Sequence, residues 1–283
     1  MLERHRHERT YPSLDVVEVL QLYFRRPYGS EGETWHTRLT SIRRDGTCDA
    51  CEQKLEPLEI SQEQFEELRR QLLEKVIKGT DIYRQTTPDE LESFLNFVNE
   101  GAPYNIIIDG LNVAYTCSKA AGYMRYKVLY DLVAHLVHDH GLKCLVLGRH
   151  HMTNKHRGSY IQKMTALADC FFAQNVSEDD PFMLYATLQS GPEARYITND
   201  LLRDHKYLVD DDMKVAFERW QQSRQLKPKL NSMSKGRVAF QAIRPYDTVV
   251  QRTEQAWHIP YDDGTLQYSY DLPKRWLCAA RLY

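Results

Sequence analysis

The chain has 283 residues, 42% of them hydrophobic and 27% charged, enough for one large domain or two modest ones and too apolar for a disordered chain. Its 37 Lys and Arg against 39 Asp and Glu leave a formal net charge of −2. That balance does not advertise nucleic-acid binding and does not exclude it, because local basic stretches matter more than the sum. No apolar run approaches the roughly 18 residues that span a membrane, and the six cysteines lack the regular spacing of a secreted disulfide scaffold.

Residues 1–10 are rich in Arg and His, hold Glu3 and Glu8, and have no apolar core, so they read as neither a signal nor a transit peptide. Leu14, Val16, Val17, Val19, Leu20, Leu22, Tyr23 and Phe24 predict a helix over 13–26, stopped before Pro27. A Gly- and Glu-rich loop over 28–34 leads to a strand over 35–42. Ser61 as N-cap opens a helix over 61–78 with Phe65, Leu68, Leu72 and Val76 on one face. Thr87-Pro88-Asp89-Glu90 opens another that runs to Glu100. Tyr104-Asn105-Ile106-Ile107-Ile108-Asp109 is an apolar run that ends in an acid, and three consecutive isoleucines predict a strand buried on both faces.

A helix over 124–140 follows, with Val128, Leu129, Leu132 and Leu136 inward and Gly141 as its stop. Residues 144–148 predict a buried strand and 170–172 a further strand, with Cys144 and Cys170 as small core residues. Acids and Pro181 over 177–181 start a helix through Phe182, Leu184, Tyr185 and Leu188. Residues 195–198 are a fourth strand, 212–224 a helix capped by Asp210-Asp211-Asp212, and 238–243 an edge strand. Strands alternating with helices give an α/β class with a parallel sheet flanked by helices.

The acids fall where such a sheet presents ligands. Asp109 and Asp200 end strands, and Asp179 and Asp180 open a helix, which puts all four at the carboxyl edge. For Asp109-Gly110 alone, a strand-to-helix turn is the competing reading. Four converging carboxylates repel unless cations neutralise them, and oxygen ligands suit Mg²⁺ or Mn²⁺. Two such ions can clamp the attacking and leaving oxygens of a phosphodiester. Arg149, Lys155 and Arg157, in the loop after the second strand, share that edge as phosphate contacts or as a solvated loop. His205 could steer a phosphate or shuttle a proton, although a helix-surface position is the simpler reading.

Cys48-x-x-Cys51 can place two thiolates on one metal. His258 and Cys278 would complete the closed Cys₃His arrangement of structural zinc. Spacing alone leaves open two reduced cysteines, a surface His and a buried Cys. If the site forms, residues 1–57 and 244–283 make one zinc-stapled subdomain and 58–243 are inserted in it.

Three segments carry a family likeness: Ile108-Asp109-Gly110-Leu111-Asn112-Val113, Glu178-Asp179-Asp180 with Tyr185-Ala186, and Thr198-Asn199-Asp200 with Arg203-Asp204-His205. Together they resemble the NYN-type, PIN-like metallonuclease domain of protein-only RNase P. Cys48-x-x-Cys51, Trp257-His258 and Trp276-Leu277-Cys278 are similar to that family's split, zinc-bearing central domain. The resemblance runs through essentially the whole chain in order and fits the animal mitochondrial branch.

It implies an NYN metallonuclease domain over 58–243 inserted in a split zinc domain over 1–57 and 244–283. It implies hydrolytic removal of the 5′ leader of mitochondrial precursor tRNAs, leaving a 5′-phosphate on the tRNA. Asp109, Asp179, Asp180 and Asp200 would be catalytic residues holding one or two Mg²⁺ or Mn²⁺, and Cys48, Cys51, His258 and Cys278 would hold structural Zn²⁺. Location in the mitochondrial matrix and a tRNA methyltransferase–dehydrogenase subcomplex as partner are implied as well, with no membrane or small-molecule partner. Family members also carry an N-terminal pentatricopeptide-repeat domain that grips the tRNA, and no helical repeat of its length is legible here. Two other readings stand beside this one: a PIN-like nuclease on another structured RNA, and a non-catalytic zinc-containing RNA-binding scaffold. No Gly-x-Gly-x-x-Gly or P-loop supports a nucleotide-binding protein.

Overall fold

The computed structural model describes residues 1–26, 35–78, 86–116, 124–153, 158–174, 180–229, 238–266 and 272–281. The 28–34 loop, the Val76 side chain, and the candidate site residues Lys155, Arg157 and Asp179 lie outside the described residues. The chain divides into two compact units, Met1–Glu59 with Arg244–Tyr283, and Ile60–Ile243. In chain order the strands are β1 (Trp35–Thr40), β2 (Ile106–Asp109), β3 (Cys144–Arg149), β4 (Asp169–Ala173), β5 (Arg195–Ile197), β6 (Gln225–Leu226), β7 (Gln251–Arg252), β8 (Ala256–Tyr261) and β9 (Arg275–Arg281).

The Ile60–Ile243 unit is built on a five-stranded sheet in the order β4-β3-β2-β5-β6, each neighbouring pair parallel. Helices cover both faces, so the strands need no polar alternation. Ile107, Leu145, Leu147 and Tyr196 turn to one core with Phe65, Leu68, Leu72, Phe94, Phe182 and Trp220. Ile106, Ile108, Val146 and Ile197 turn to the other, with Val113, Leu129, Leu132 and Ile161. This alternation follows from the two-residue period of a strand. Ile107 and Ile108 are wholly buried, and each such side chain contributes about 1.5–3 kcal/mol by leaving water.

Local signals set the helix ends. Ser61 and Gln64 form a reciprocal cap before helix Gln62–Lys78, Ser61 Oγ accepting the Gln64 N–H at 3.1 Å while Gln64 Oε1 accepts the Ser61 N–H at 3.0 Å. Thr87 accepts the Glu90 N–H at the start of helix Pro88–Gly101. Gly141, at φ +64°, follows helix Met124–His138 in the left-handed conformation that stops it.

Residues 238–243 are not the expected edge strand; β6 holds that edge, paired with β5. Phe240 makes a single antiparallel bridge to Pro228, flanked by Lys229 N–H to Ala239 O at 2.8 Å and Gln241 N–H to Lys227 O at 2.9 Å. The partner Pro228 has no N–H to extend a ladder. Helices Leu2–Glu8 and Gly158–Thr165 were not anticipated from the sequence, while helix Gly110–Thr116 follows the strand-to-helix turn that was the competing reading at Asp109-Gly110.

In the other unit an antiparallel sheet runs β1-β9-β8-β7. Helix Leu14–Phe24 packs Val17, Leu20 and Phe24 onto Val250, Ile259, Leu277 and Ala279. The two ends of the unit are joined by Arg9, which meets the fully buried Asp247 at 2.7 Å. No described helix is long and apolar enough to cross a membrane.

Candidate active site and metal centre

β2 delivers Asp109 to the carboxyl end of the sheet, and the chain enters helix Gly110–Thr116 at once. The turn leaves no room for a side chain at Gly110, where a Cβ would stand 2.7 Å from Leu147 O on β3. Asp109 is only 7% exposed and is held at both oxygens. Its Oδ1 accepts the Asn112 N–H at 2.9 Å, and its Oδ2 accepts the Thr198 hydroxyl at 2.9 Å. Burial pushes the Asp109 carboxyl above the usual carboxylate value. The two hydrogen bonds pull it down, the Asp200 carboxylate pushes it up, and Arg149 lowers it.

Asp200 follows β5 through a tightly braced turn. Thr198 Oγ1 accepts the Asp200 N–H at 3.1 Å, Asp200 Oδ1 accepts the Leu202 N–H at 2.7 Å, and Asn112 Oδ1 accepts the Asn199 N–H at 3.1 Å. Gln225, at the start of β6 and 4% exposed, donates to the carbonyls of Thr198 at 3.0 Å and Asp200 at 2.6 Å. Asp180 opens helix Asp180–Gln189, whose N-terminal dipole favours an acid. Asp180 and Asp200 both add to the burial that raises the phenol of the fully buried Tyr196.

Asp109, Asp180 and Asp200 line one open cavity of about 510 Å³ together with Leu111, Asn112, Tyr115, Arg149 and His151. Three of the four predicted acids therefore share a site; the fourth, Asp179, precedes Asp180 outside the described residues. Arg149, expected there as a phosphate contact, lines the same cavity and donates from Nη1 to Gln174 O at 2.9 Å. His205 is not the surface residue its position suggested: its side chain is 12% exposed and Nε2 lies 4.0 Å from Asp180 Oδ2. The short helix Arg203–Lys206 turns it inward rather than to solvent. The Asp210-Asp211-Asp212 run is elsewhere; Asp210 pairs with Lys75 at 3.1 Å and Asp211 with Lys214 at 2.5 Å.

Sequence reasoning did not single out Thr198, Gln225, Tyr115 or His151. Asn112 and Thr198 stand inside the motifs, but their bonds join residues 87 and 89 apart in the chain. The donor set at this cavity is carboxylate and amide oxygen, which suits a hard divalent cation.

In the other unit, antiparallel pairing makes His258 on β8 and Cys278 on β9 direct cross-strand partners. The Cys48–Cys51 turn sits against them, with Cys51 Sγ 3.2 Å from His258 Nε2. The ligand atoms of Cys48, Cys51, His258 and Cys278 all lie within 4.8 Å of one another. Four soft donors at that spacing fit a closed tetrahedral zinc site, where Zn–S is about 2.3 Å. The Cys278 thiol donates to Cys48 and, with His258 and the Ala50 N–H, holds the Cys48 thiol well below its ordinary value against the opposing effect of burial. The same contact pushes Cys278 up, and burial raises Cys51. In the Ile60–Ile243 unit Cys144 is buried, whereas Cys170, expected in the core, is only half-buried at its edge, and desolvation pushes both thiols up to about 12.

The mitochondrial ribonuclease P catalytic subunit of Mus musculus is 41% identical over 281 residues, covering 98% of this chain and 47% of that protein. The Rattus norvegicus protein of the same name is 39% identical over 98% of this chain and 46% of its own. Proteinaceous RNase P 1, chloroplastic/mitochondrial, of Arabidopsis thaliana is 22% identical over 258 residues, 87% of this chain and 42% of that one. The chain thus spans about half the length of the curated relatives it matches. The crystal structure of nuclear proteinaceous RNase P 2 from A. thaliana shares the fold, with a TM-score of 0.59 at 16% identity over 99% of this chain and 62% of that chain. The family model for protein-only RNase P matches residues 42–278, which takes in both the acid-lined cavity and the Cys₃His cluster, and the chain belongs to that family.

Proposed function

We propose that this chain is the metal-dependent endoribonuclease part of a ribonuclease P, removing the 5′ leader of mitochondrial precursor tRNAs and leaving a 5′-phosphate on the tRNA. The observation that carries this reading is the convergence of Asp109, Asp180 and Asp200 with Arg149 on one cavity in a chain of the protein-only RNase P family. Asp109, Asp180, Asp200 and the adjoining Asp179 would hold one or two Mg²⁺ or Mn²⁺. When bound, such ions supply an acidified water and neutralise charge at the scissile phosphate.

The chain's own groups do the positioning. Asn112 and Thr198 fix both oxygens of Asp109, so that carboxylate is aimed before substrate arrives. Arg149 offers a guanidinium to a phosphate oxygen, with Lys155 and Arg157 as further backbone contacts. His205 Nε2, beside Asp180 Oδ2, provides a proton acceptor next to the acids. Cys48, Cys51, His258 and Cys278 would hold a structural Zn²⁺ that ties the ends of their unit together.

The name of the mammalian relatives, a catalytic subunit, supports action within an assembly. A tRNA methyltransferase–dehydrogenase subcomplex in the mitochondrial matrix is the partner we assign. The test is cleavage of a 5′-labelled mitochondrial precursor tRNA with Mg²⁺, with and without those partners, followed by mapping of the product ends. A cut at the mature 5′ end carrying a 5′-phosphate supports the reading. Cuts in unrelated structured RNAs but not in precursor tRNA would favour the broader nuclease. No cleavage, together with thermal stability blind to Mg²⁺ and Mn²⁺, would favour the scaffold.

A further inference from the structure

We propose that Tyr115 is a stacking platform for an unpaired nucleobase on the leader side of the scissile phosphodiester, an inference that rests on the nuclease reading of the same cavity. A single exposed aromatic is ordinary on a protein surface. Tyr115 differs in its place and in how it is held. It is 51% exposed, yet it lines the cavity that holds Asp109, Asp180 and Asp200. The Arg125 guanidinium lies over one face of its ring, 4.2 Å from the centroid, a cation–π contact that leaves the opposite face as the one for a base.

The geometry of the helix sets what can reach it. Tyr115 is six residues beyond Asp109, and helix Gly110–Thr116 connects them, so the two are about 9 Å apart along the helix axis. That is the reach of one nucleotide from its phosphate to the far side of its base. Leu111, one turn before Tyr115, also lines the cavity and gives the wall an apolar strip. Arg149 and His151 lie on the same cavity as polar groups for the backbone. A phosphate at the acids and a base over Tyr115 are therefore compatible positions for a single nucleotide.

The chemistry selects an unpaired base. A base inside a helix already stacks on its neighbours, whereas RNA-binding proteins take splayed single-stranded bases onto aromatic side chains. The leader is the single-stranded side of a precursor tRNA at the cleavage point. Stacking on an aromatic tolerates any base, because every base has a π face, so the platform would register the cut without demanding a leader sequence.

The test uses precursor tRNA with 2-aminopurine as the last leader nucleotide, whose fluorescence is quenched by stacking, with the chain, its partners and Mg²⁺. Wild type is expected to quench the probe before cleavage, and Tyr115→Phe, which keeps the ring, to keep the quench. Tyr115→Leu, similar in bulk but without a π face, is expected to lose it and to raise the half-saturating RNA concentration about tenfold, with a smaller effect on the rate at saturation. A simple packing role for the Tyr115–Arg125 pair would move the melting temperature and leave the quench alone. If wild type cleaves at the mature end without quenching the probe, or if Tyr115→Leu quenches and saturates like wild type, the platform is wrong while the nuclease reading stands. If wild type quenches but never cleaves, Tyr115 still stacks a base, but the nuclease reading falls and with it the placement beside a scissile bond. If it does neither, both fall.

Discussion

The hydroxyl of Thr198 donates to Asp109 Oδ2 at 2.9 Å, joining the end of β5 to the end of β2 at the cavity floor. Thr198 Oγ1 in turn accepts the Asp200 N–H at 3.1 Å, so one wholly buried side chain sets the spacing of two acids. Replacing it with Val leaves a buried carboxylate oxygen without its donor. Thr198→Val should cost about 1–3 kcal/mol in denaturant unfolding and weaken stabilisation by Mg²⁺, whereas Thr198→Ser should restore most of both.

The raised carboxyl of Asp109 makes a pH prediction. Its folded value lies above its unfolded one, so the folded state holds the proton to higher pH. The stabilisation from that proton is complete below the ordinary value of 3.8 and is lost as pH rises through the folded value. Cation binding needs the ionised form, so the rise in melting temperature on adding Mg²⁺ should grow with pH across the same window. Asp109→Asn removes the buried charge while keeping its shape. With EDTA it should melt no lower than wild type, and Mg²⁺ should raise its melting temperature less than it raises that of wild type.

The Cys₃His cluster predicts one zinc per chain by elemental analysis. Cys51→Ser or prolonged chelation should release it and lower the melting temperature, since structural zinc contributes folding energy directly. Cys144→Ala should leave zinc content unchanged, because that thiol sits in the core of the other unit. Alkylation of Cys144 and Cys170 should be slow at neutral pH, with both thiols pushed up to about 12.

Gly110 is required by a close approach rather than by an unusual backbone angle. A Cβ there would stand 2.7 Å from Leu147 O and 3.1 Å from Val146 Cγ1, and a backbone carbonyl in a central strand cannot step aside. Gly110→Ala should destabilise by about 1–3 kcal/mol, read as a lower unfolding midpoint, and should displace Asp109 enough to reduce activity as well.

Much of this was legible in the chain. The isoleucine run, the Thr87-Pro88 start and the Gly141 stop are local signals, and the structure uses each one locally. Strand ends and a helix start pointed to Asp109, Asp179, Asp180 and Asp200, and the family likeness marked the same four residues. Gln225 was not legible, because a two-residue strand has no periodicity to detect. Its function exists only once β6 lies beside β5 and its amide meets the carbonyls of Thr198 and Asp200. The edge strand expected over 238–243 failed because Pro228, opposite Phe240, could not carry a ladder. The four zinc donors were named together from the sequence, but with more than 200 residues between Cys51 and His258 spacing alone left reduced cysteines as an alternative; the fold brings their ligand atoms within 4.8 Å of one another.

The central claim is that the clustered acids carry out the cleavage. Its most direct test is single-turnover cleavage of a 5′-labelled mitochondrial precursor tRNA by wild type and by Asp200→Asn, at saturating Mg²⁺ and with the partner proteins present. Asn keeps the Oδ1 acceptor that the Leu202 N–H uses, so the fold should survive, and a melting curve checks that it does. The account predicts a cut at the mature 5′ end by wild type and its loss in the folded variant. A folded Asp200→Asn protein that cleaves at the wild-type rate would contradict it.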